Sequence, residues 1–354
     1  MSLKCKGCGT ILQYINPLEK GYALNETQEY CQRCYRLTHY GDIKNIKTLN
    51  YNNLLNDIFI KYKNDLFVFI VDAYEALVLE SEGVLERFKN NKLILLINKI
   101  DLLPRNITDD RIEEIYNSIY TNLKNKYSCI LDIVITHKFD SSFNDLFINM
   151  LNELKFNTVV FIGKANAGKS TILNKLLANN DLTTSIYPGT TTDEIIIKYD
   201  RYTFIDTPGL YDSDNLLTYL SPAKLKSFLR YKTIKPLVFQ LYEPQSYYMS
   251  GLFRIDVNPK EHCSIIFESN RNDIHRTKTT NTNNYEKNNK FEYSLTPWSK
   301  SVYKAKGEET YLIKGFGLIR IKGNADITIM INDKIKVYTI GNYLWVWMVN
   351  KKDF

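Results

Sequence analysis

Up to about residue 235, uninterrupted apolar runs alternate with amphipathic stretches. Asp65–Asp72, Lys92–Ile97, Cys129–Thr136 and Thr158–Ile162 are short and rich in Val, Ile, Leu and Phe. They show little polar alternation, the pattern of parallel strands buried on both faces. Helical spacing appears between them, around Glu80–Phe88, from Asp109 to about Lys126, and over Ser142–Leu154. The last of these puts Phe143, Leu146, Phe147, Met150, Leu151 and Leu154 on one predicted face. Glu194–Tyr199 and Tyr202–Ile205 read as a hairpin turning at Asp200-Arg201.

Beyond residue 235 the pattern changes. Leu237–Leu241, Gly251–Val257, Ser264–Glu268, Thr310–Ile313, Leu318–Ile321, Ile327–Ile331 and Lys334–Ile340 predict short antiparallel strands. Asn270–Lys290 is polar and basic and is expected to loop out. The expected class is α/β, in three segments: a module over 1–50, a layered domain over 51–235 and a β-rich domain over 236–354. A chain of 354 residues suits two or three domains.

No stretch approaches the ~18 consecutive apolar residues of a membrane span. The start, Met1-Ser2-Leu3-Lys4-Cys5, lacks the apolar core of a secretory signal. A cytoplasmic protein with no membrane partner is expected. Charge adds one point. Residues 1–50 carry seven Lys/Arg against four Asp/Glu, residues 51–235 carry 22 against 23, and residues 236–354 carry 17 against 12. The basic excess lies on the flanks, as a polyanion such as RNA would require. A chain this rich in Asn, Lys, Ile and Tyr also uses lysine simply for solvation.

The chemistry centres on Gly163-Lys164-Ala165-Asn166-Ala167-Gly168-Lys169-Ser170, which follows an apolar strand and precedes the helix start Thr171-Ile172-Leu173. G-x-x-x-x-G-K-S in that setting predicts a P-loop. The backbone from Gly163 to Thr171 would turn N–H groups toward phosphates, Lys169 would clamp the β/γ oxygens, and Ser170 would hold Mg²⁺. Asn98-Lys99-Ile100-Asp101 is N-K-x-D at the end of a strand. Asn98, Lys99 and Asp101 are therefore candidates for guanine: the Asp101 carboxylate can accept from N1–H and the exocyclic amine together, and adenine would leave it unpaired. Thr136-His137-Lys138 stands where a base-supporting Ser-Ala-Lys is usual, and the match is poor.

Pro188-Gly189-Thr190-Thr191-Thr192-Asp193 offers a Mg²⁺-binding hydroxyl, with Thr191 preferred and Thr190 in reserve. In Asp206-Thr207-Pro208-Gly209, Asp206 would support Mg²⁺ through water and the Gly209 N–H would sense a γ-phosphate. Leu210 follows, in the place where Ras-like GTPases carry a water-orienting glutamine. The Asn166 amide oxygen can hold K⁺ against the phosphates, a catalytic contribution, or simply buttress the loop. An ATP-specific enzyme and a scaffold that hardly hydrolyses remain as rival readings.

Cys5-Lys6-Gly7-Cys8 and Cys31-Gln32-Arg33-Cys34 are separated by 22 residues. Paired CxxC motifs predict a closed, structural Zn²⁺ site of four thiolates, Cys5, Cys8, Cys31 and Cys34. Cys129 and Cys263, alone in apolar runs, read as core residues. Arg33 and Arg36 either face phosphate or offset the charge of the zinc centre. In the C-terminal segment Arg271, His275, Arg276, Lys278, Tyr247, Tyr248 and Tyr285 form either an RNA face or a solvated loop beside a tyrosine core.

The order of these motifs is N-K-x-D, P-loop, D-T-P-G, a circular permutation of the usual one. With the cysteine pairs, Tyr35-Arg36-Leu37-Thr38-His39-Tyr40, Phe239-Gln240-Leu241, Ser250-Gly251-Leu252-Phe253-Arg254-Ile255-Asp256, His275-Arg276-Thr277-Lys278 and Gly315-Phe316-Gly317, the chain resembles the YqeH-type circularly permuted GTPases. The resemblance implies GTP and GDP as ligands with Mg²⁺, slow hydrolysis stimulated by K⁺, and ribosomal RNA or small-subunit precursor particles as partners. Ala167, where valine is familiar, is a small departure.

Overall fold

The computed structural model describes residues 3, 5, 10–17, 19, 21–32, 34–35, 51–103, 109–137, 140–164, 166–177, 194–210, 213–220, 228, 233–269, 273–289, 291, 293 and 295–340. They fall into two compact units: residues 1–101, 116–212 and 221–226 in one, and 102–115, 213–220 and 227–354 in the other.

The first unit is built on a six-stranded sheet. Its strands are β1 (Leu66–Asp72), β2 (Lys92–Asn98), β3 (Ile130–Ile135), β4 (Thr158–Gly163), β5 (Ile195–Tyr199) and β6 (Tyr202–Asp206), in the order β3-β2-β1-β4-β6-β5. The first five in that order pair in parallel, and β5 closes the edge antiparallel to β6. Every residue of β1 is buried, which is why its sequence shows no polar alternation. Its two faces divide the aromatic and aliphatic side chains. Phe67 meets Phe59 of helix α1 (Tyr51–Lys61) at 5.3 Å between ring centroids. Leu66, Val68 and Ile70 turn to the cluster that contains Phe143, Phe147 and Leu151. A long helix, α2 (Asp109–Lys126), connects β2 to β3.

Those last three residues belong to α3 (Phe143–Leu154). Leu146, expected on the same stripe, is instead 65% exposed. The buried face centres between Phe147 and Leu151, and at 100° per residue Leu146 falls beyond its margin. After β4 the chain turns into α4 (Lys169–Leu176), with Ile172, Leu173 and Leu176 buried. The predicted hairpin is β5–β6, with Asp200 at φ +50° in its turn. Around residues 79–88 two short helical turns replace the single predicted helix, because Gly83 takes φ +64° between them.

The second unit holds two five-stranded antiparallel sheets. One has the order β16-β13-β14-β10-β7 and the other β11-β8-β9-β15-β12. Their strands are β7 (Leu237–Leu241), β8 (Gln245–Met249), β9 (Phe253–Pro259), β10 (Cys263–Ser269), β11 (Ile274–Lys278), β12 (Ser299–Ala305), β13 (Glu308–Ile313), β14 (Gly317–Lys322), β15 (Ala325–Ile331) and β16 (Val337–Ile340). Both sheets contribute to a common core, with Tyr247, Ile255 and Ile329 from one and Phe267, Ile319 and Ile321 from the other. β15 alternates buried and half-buried residues along its length, as a strand with one core face must.

One expectation fails here, and an open alternative is decided for two tyrosines. Asn270–Lys290 does not loop out as a whole: 274–278 is the edge strand β11, and Thr282–Asn288 is a helix, α5. A charged strand reads as loop, yet charge is what an edge tolerates. Tyr247 and Tyr248 are fully buried, Tyr247 in the core between the sheets and Tyr248 against Tyr285 and Phe291, so neither offers a ring to an RNA face. Cys129 and Cys263 are buried as expected.

The second unit also buries charge. Arg320 on β14 is paired with Glu268 on β10 and lies 3.4 Å from Glu308. Burial pushes the Glu268 carboxyl up, and the Arg320 charge opposes it. Removing one partner strands the other, which costs roughly 3–5 kcal/mol. Glu268→Leu alone should lower the urea midpoint strongly, and adding Arg320→Met should recover most of the loss.

Candidate functional site

Four neighbouring parallel strands bring the candidate residues to one edge of the sheet. Asp72 ends β1 beside Asn98, which ends β2. Gly163 ends β4 in register with Ile70. Asp206 ends β6 and pairs with Phe161. This is the carboxyl edge where open α/β sheets bind ligands.

Contacts then join motifs that are far apart in sequence. The Asn98 carboxamide donates to the Ala167 carbonyl at 2.9 Å. The Lys99 ammonium donates to the Asn166 carbonyl. Gly168 approaches so closely that a Cβ there would lie 2.3 Å from the Asn98 Nδ2, and its φ of +101° is itself a glycine conformation. Asn166, at φ +64°, takes the left-handed turn that asparagine tolerates best after glycine. Asp101 follows in a short 3₁₀ turn, Ile100–Leu102. Lys169, Ser170 and Thr171 open α4, so its unpaired N–H groups and dipole face the loop.

The D-T-P-G turn is locked to the same loop. The Thr207 hydroxyl and N–H both donate to the Phe161 carbonyl, at 2.8 and 3.2 Å. The Leu210 N–H donates to the Gly163 carbonyl at 2.9 Å, and its side chain is buried. Lys169 is buried, which lowers its pKa against the opposing charge of Asp206. Burial raises the Asp206 carboxyl to about 6, with Lys169 acting the other way. The Asp206 Oδ1 has no hydrogen-bond partner among the described residues. An orphaned buried carboxylate oxygen beside a phosphate loop fits a Mg²⁺ hydration shell.

Thr191 and Thr190 lie outside the described residues, as do Arg33, Arg36, Lys138, Arg271 and Cys8. Gly209 is placed in the turn after Asp206. The Cys5, Cys31 and Cys34 sulfurs all lie within 4.8 Å of one another and are buried, and the Cys31 N–H donates to the Cys5 Sγ at 3.1 Å. None of the three is in a disulfide. Three converging thiols with an N–H donor on sulfur fit zinc.

Several contributors are not legible from motifs. Lys164, inside the loop, is ion-paired with Glu82 at 2.7 Å, both nearly buried. Glu194, just after the threonine segment, accepts from Tyr62 at 2.6 Å and from Lys61. Asp72 caps the turn after β1 through the N–H groups of Tyr74 and Glu75, both at 3.0 Å. Only the terminal Asp72 carries a sequence signal, a carboxylate closing an apolar strand.

Comparison with known proteins agrees with this geometry. The sequence model of the family described as "50S ribosome-binding GTPase" matches residues 158–246. The chain is 30% identical over 297 residues to the uncharacterized protein YqeH of Bacillus subtilis (strain 168), covering 80% of each. It is 34% identical over 159 residues to the GTPase Der of Lachnospira eligens, covering 41% of this chain and 34% of that one. A stretch of the same length is 31% identical to the GTPase Der of Clostridium botulinum (strain Okra / Type B1).

Two outcomes are expected. Gly168→Ala should weaken nucleotide binding by tenfold or more, on the order of the ~1–3 kcal/mol of strain and lost hydrogen bonding it introduces; titration with a fluorescent guanine nucleotide measures this. Purified protein should carry about one Zn²⁺ per chain by elemental analysis, and Cys31→Ser should lose it.

Proposed function

The chain belongs to the YqeH family of GTPases, and from that premise we propose that it is a GTP-dependent switch acting in assembly of the small ribosomal subunit. The observation that carries the reading is the contact between Asn98 and the Ala167 carbonyl, which brings the guanine reader against the phosphate loop. In this proposal Asn98, Lys99 and Asp101 select guanine, while the backbone from Gly163 to Thr171 cradles the phosphates. Lys169 clamps the β and γ oxygens. Ser170 and Thr191 hold Mg²⁺ directly, and Asp206 holds it through water. The Gly209 N–H reports whether a γ-phosphate is present, so its loss releases both switch segments.

Leu210 offers no group to orient an attacking water, so slow hydrolysis is expected. Asn166 compensates by holding K⁺ against the phosphates, where the ion supplies positive charge to the transition state. Cys5, Cys8, Cys31 and Cys34 hold a structural zinc that stabilises the N-terminal module over 1–50. The basic β domain over 236–354 meets RNA through His275, Arg276, Lys278 and Tyr285. Lys278 is paired with Glu243 and Arg276 with Gln245, so both would have to exchange partners on binding. A cytoplasmic location accords with this role, and among the described residues no helix is long and apolar enough to cross a membrane.

A scaffold with negligible turnover is the second reading, favoured by the buried Leu210. Co-sedimentation with 30S and 50S subunits in GTP, in GDP and without nucleotide separates the possibilities. Preferential pelleting with 30S in one nucleotide state is expected. Pelleting with 50S alone would favour the wording of the family description and sink the small-subunit assignment. Single-turnover hydrolysis should be faster in K⁺ than in Na⁺; equal rates would remove Asn166 from catalysis. Mg²⁺ affinity should fall as pH drops through about 6, because protonating Asp206 removes the negative charge that attracts the hydrated metal. Asp206→Asn should abolish that pH dependence.

A further inference from the structure

Glu194 is the residue through which the chain enters β5. That strand runs antiparallel to β6, and its first residue, Ile195, lies opposite Asp206, the last of β6. Glu194 precedes Ile195, so it stands at the carboxyl edge next to the carboxylate assigned to Mg²⁺. In the sequence it is three residues from Thr191, at most ~11 Å of extended chain. The ladder to β6 starts at Ile195, one residue too late to hold Glu194 itself. Side chains at the end of α1 hold it instead. The Tyr62 hydroxyl donates to the Glu194 Oε2 at 2.6 Å, and the Lys61 ammonium donates to the same oxygen.

Tyr62 is itself well fixed. It is buried, its N–H donates to the Ile58 carbonyl, and its carbonyl accepts from the Asp65 N–H, both at 3.0 Å. Phe59 pins α1 to the sheet, with its ring centroid 5.3 Å from that of Phe67 and 5.0 Å from that of Phe88. Burial and the Glu194 carboxylate push the Tyr62 hydroxyl up, so it stays a donor across the neutral range. The Lys61 side chain is more than half exposed and adds less.

We propose that Tyr62 and Glu194 are positioning residues for the γ-phosphate state: their bond fixes the entry to β5 and keeps Thr191 within reach of Mg²⁺ before the nucleotide arrives. The proposal rests on the assignment of Thr191 to Mg²⁺ made above. A threonine that serves the metal only when a γ-phosphate is present contributes to GTP binding and not to GDP binding. Fixing one end of its segment lowers the entropy lost when that segment orders. The gain therefore falls on GTP, although neither Tyr62 nor Glu194 touches the nucleotide.

The test compares wild type, Tyr62→Phe, Glu194→Ala, the double variant and Thr191→Ala. Each is titrated with GDP and with a non-hydrolysable GTP analogue, in Mg²⁺ and in EDTA. Tyr62→Phe keeps the buried ring and removes the donor. In Mg²⁺ it should weaken the analogue on the order of tenfold and leave GDP within about twofold. In EDTA it should change neither by more than about twofold, since Thr191 then has no metal to serve. Glu194→Ala should weaken the analogue at least as much, and the double variant no further, because both substitutions remove the same bond. Equal weakening of analogue and GDP would make the pair a support for the fold and overturn the proposal. So would losses that multiply in the double variant, or that persist in EDTA. An analogue affinity that falls in Thr191→Ala but not in Tyr62→Phe would overturn this proposal alone. One that falls in neither would overturn the Thr191 assignment, and the proposal with it.

Discussion

The close approach of Gly168 to Asn98 is the constraint on which the nucleotide site depends. Asn98 ends one strand and the loop follows another two places away in the sheet, with β1 between them. The Asn98 amide reaches the Ala167 carbonyl across that interval only because nothing larger than hydrogen stands on Gly168. A side chain there would drive the two motifs apart. A parallel sheet makes the arrangement possible in a permuted chain. Strand order and direction decide what meets at the carboxyl edge, and the sequence of connections does not.

Charge at that edge is arranged around the same contact. Lys164 is neutralised by Glu82 and Lys99 is bound to the Asn166 carbonyl. Lys169 has burial against it and Asp206 in its favour. The loop thus holds several cations close together, and their mutual repulsion in the free protein is relieved by carboxylates and carbonyls from other strands. A polyphosphate with a divalent ion would satisfy Lys169 and the orphaned Asp206 oxygen together. The β-rich unit solves a different problem with similar means. Arg254 binds Asp256 through two bonds of 2.7 Å and Glu286 at 2.9 Å, and Tyr248 donates to the same Glu286 oxygen at 2.8 Å. That network satisfies Ser246 and Tyr248 on a strand that is buried along its length.

Much of this was legible beforehand, and unevenly. The strands β1, β2 and β4 were readable because burial on both faces leaves an unbroken apolar run, while β3 showed as a mostly apolar edge strand around Asp132 and β6 as half of a hairpin. The P-loop, N-K-x-D and D-T-P-G were readable because each is a local solution to a backbone problem, written in consecutive residues. β8 was missed because it carries Gln, Ser and two Tyr, and the partners of Ser246 and Tyr248, Asp256 and Glu286, lie ten and 38 positions away. β11 was missed because an edge strand carries His, Arg and Lys without penalty.

The sequence alone determined the chemistry: a loop able to cradle phosphate, a carboxylate able to read guanine, thiols able to bind a soft metal, and strands of the parallel kind. Each depends on side-chain type and short spacing, which the chain writes directly. Tertiary structure decided the partnerships. Glu82 with Lys164, Lys175 with His137, and Glu194 with Tyr62 join residues 82, 38 and 132 positions apart. Such pairings follow from which strands are neighbours and in what register, because the loops and helices that carry these residues are placed by the strands they follow, and a one-residue slip turns a strand's faces over.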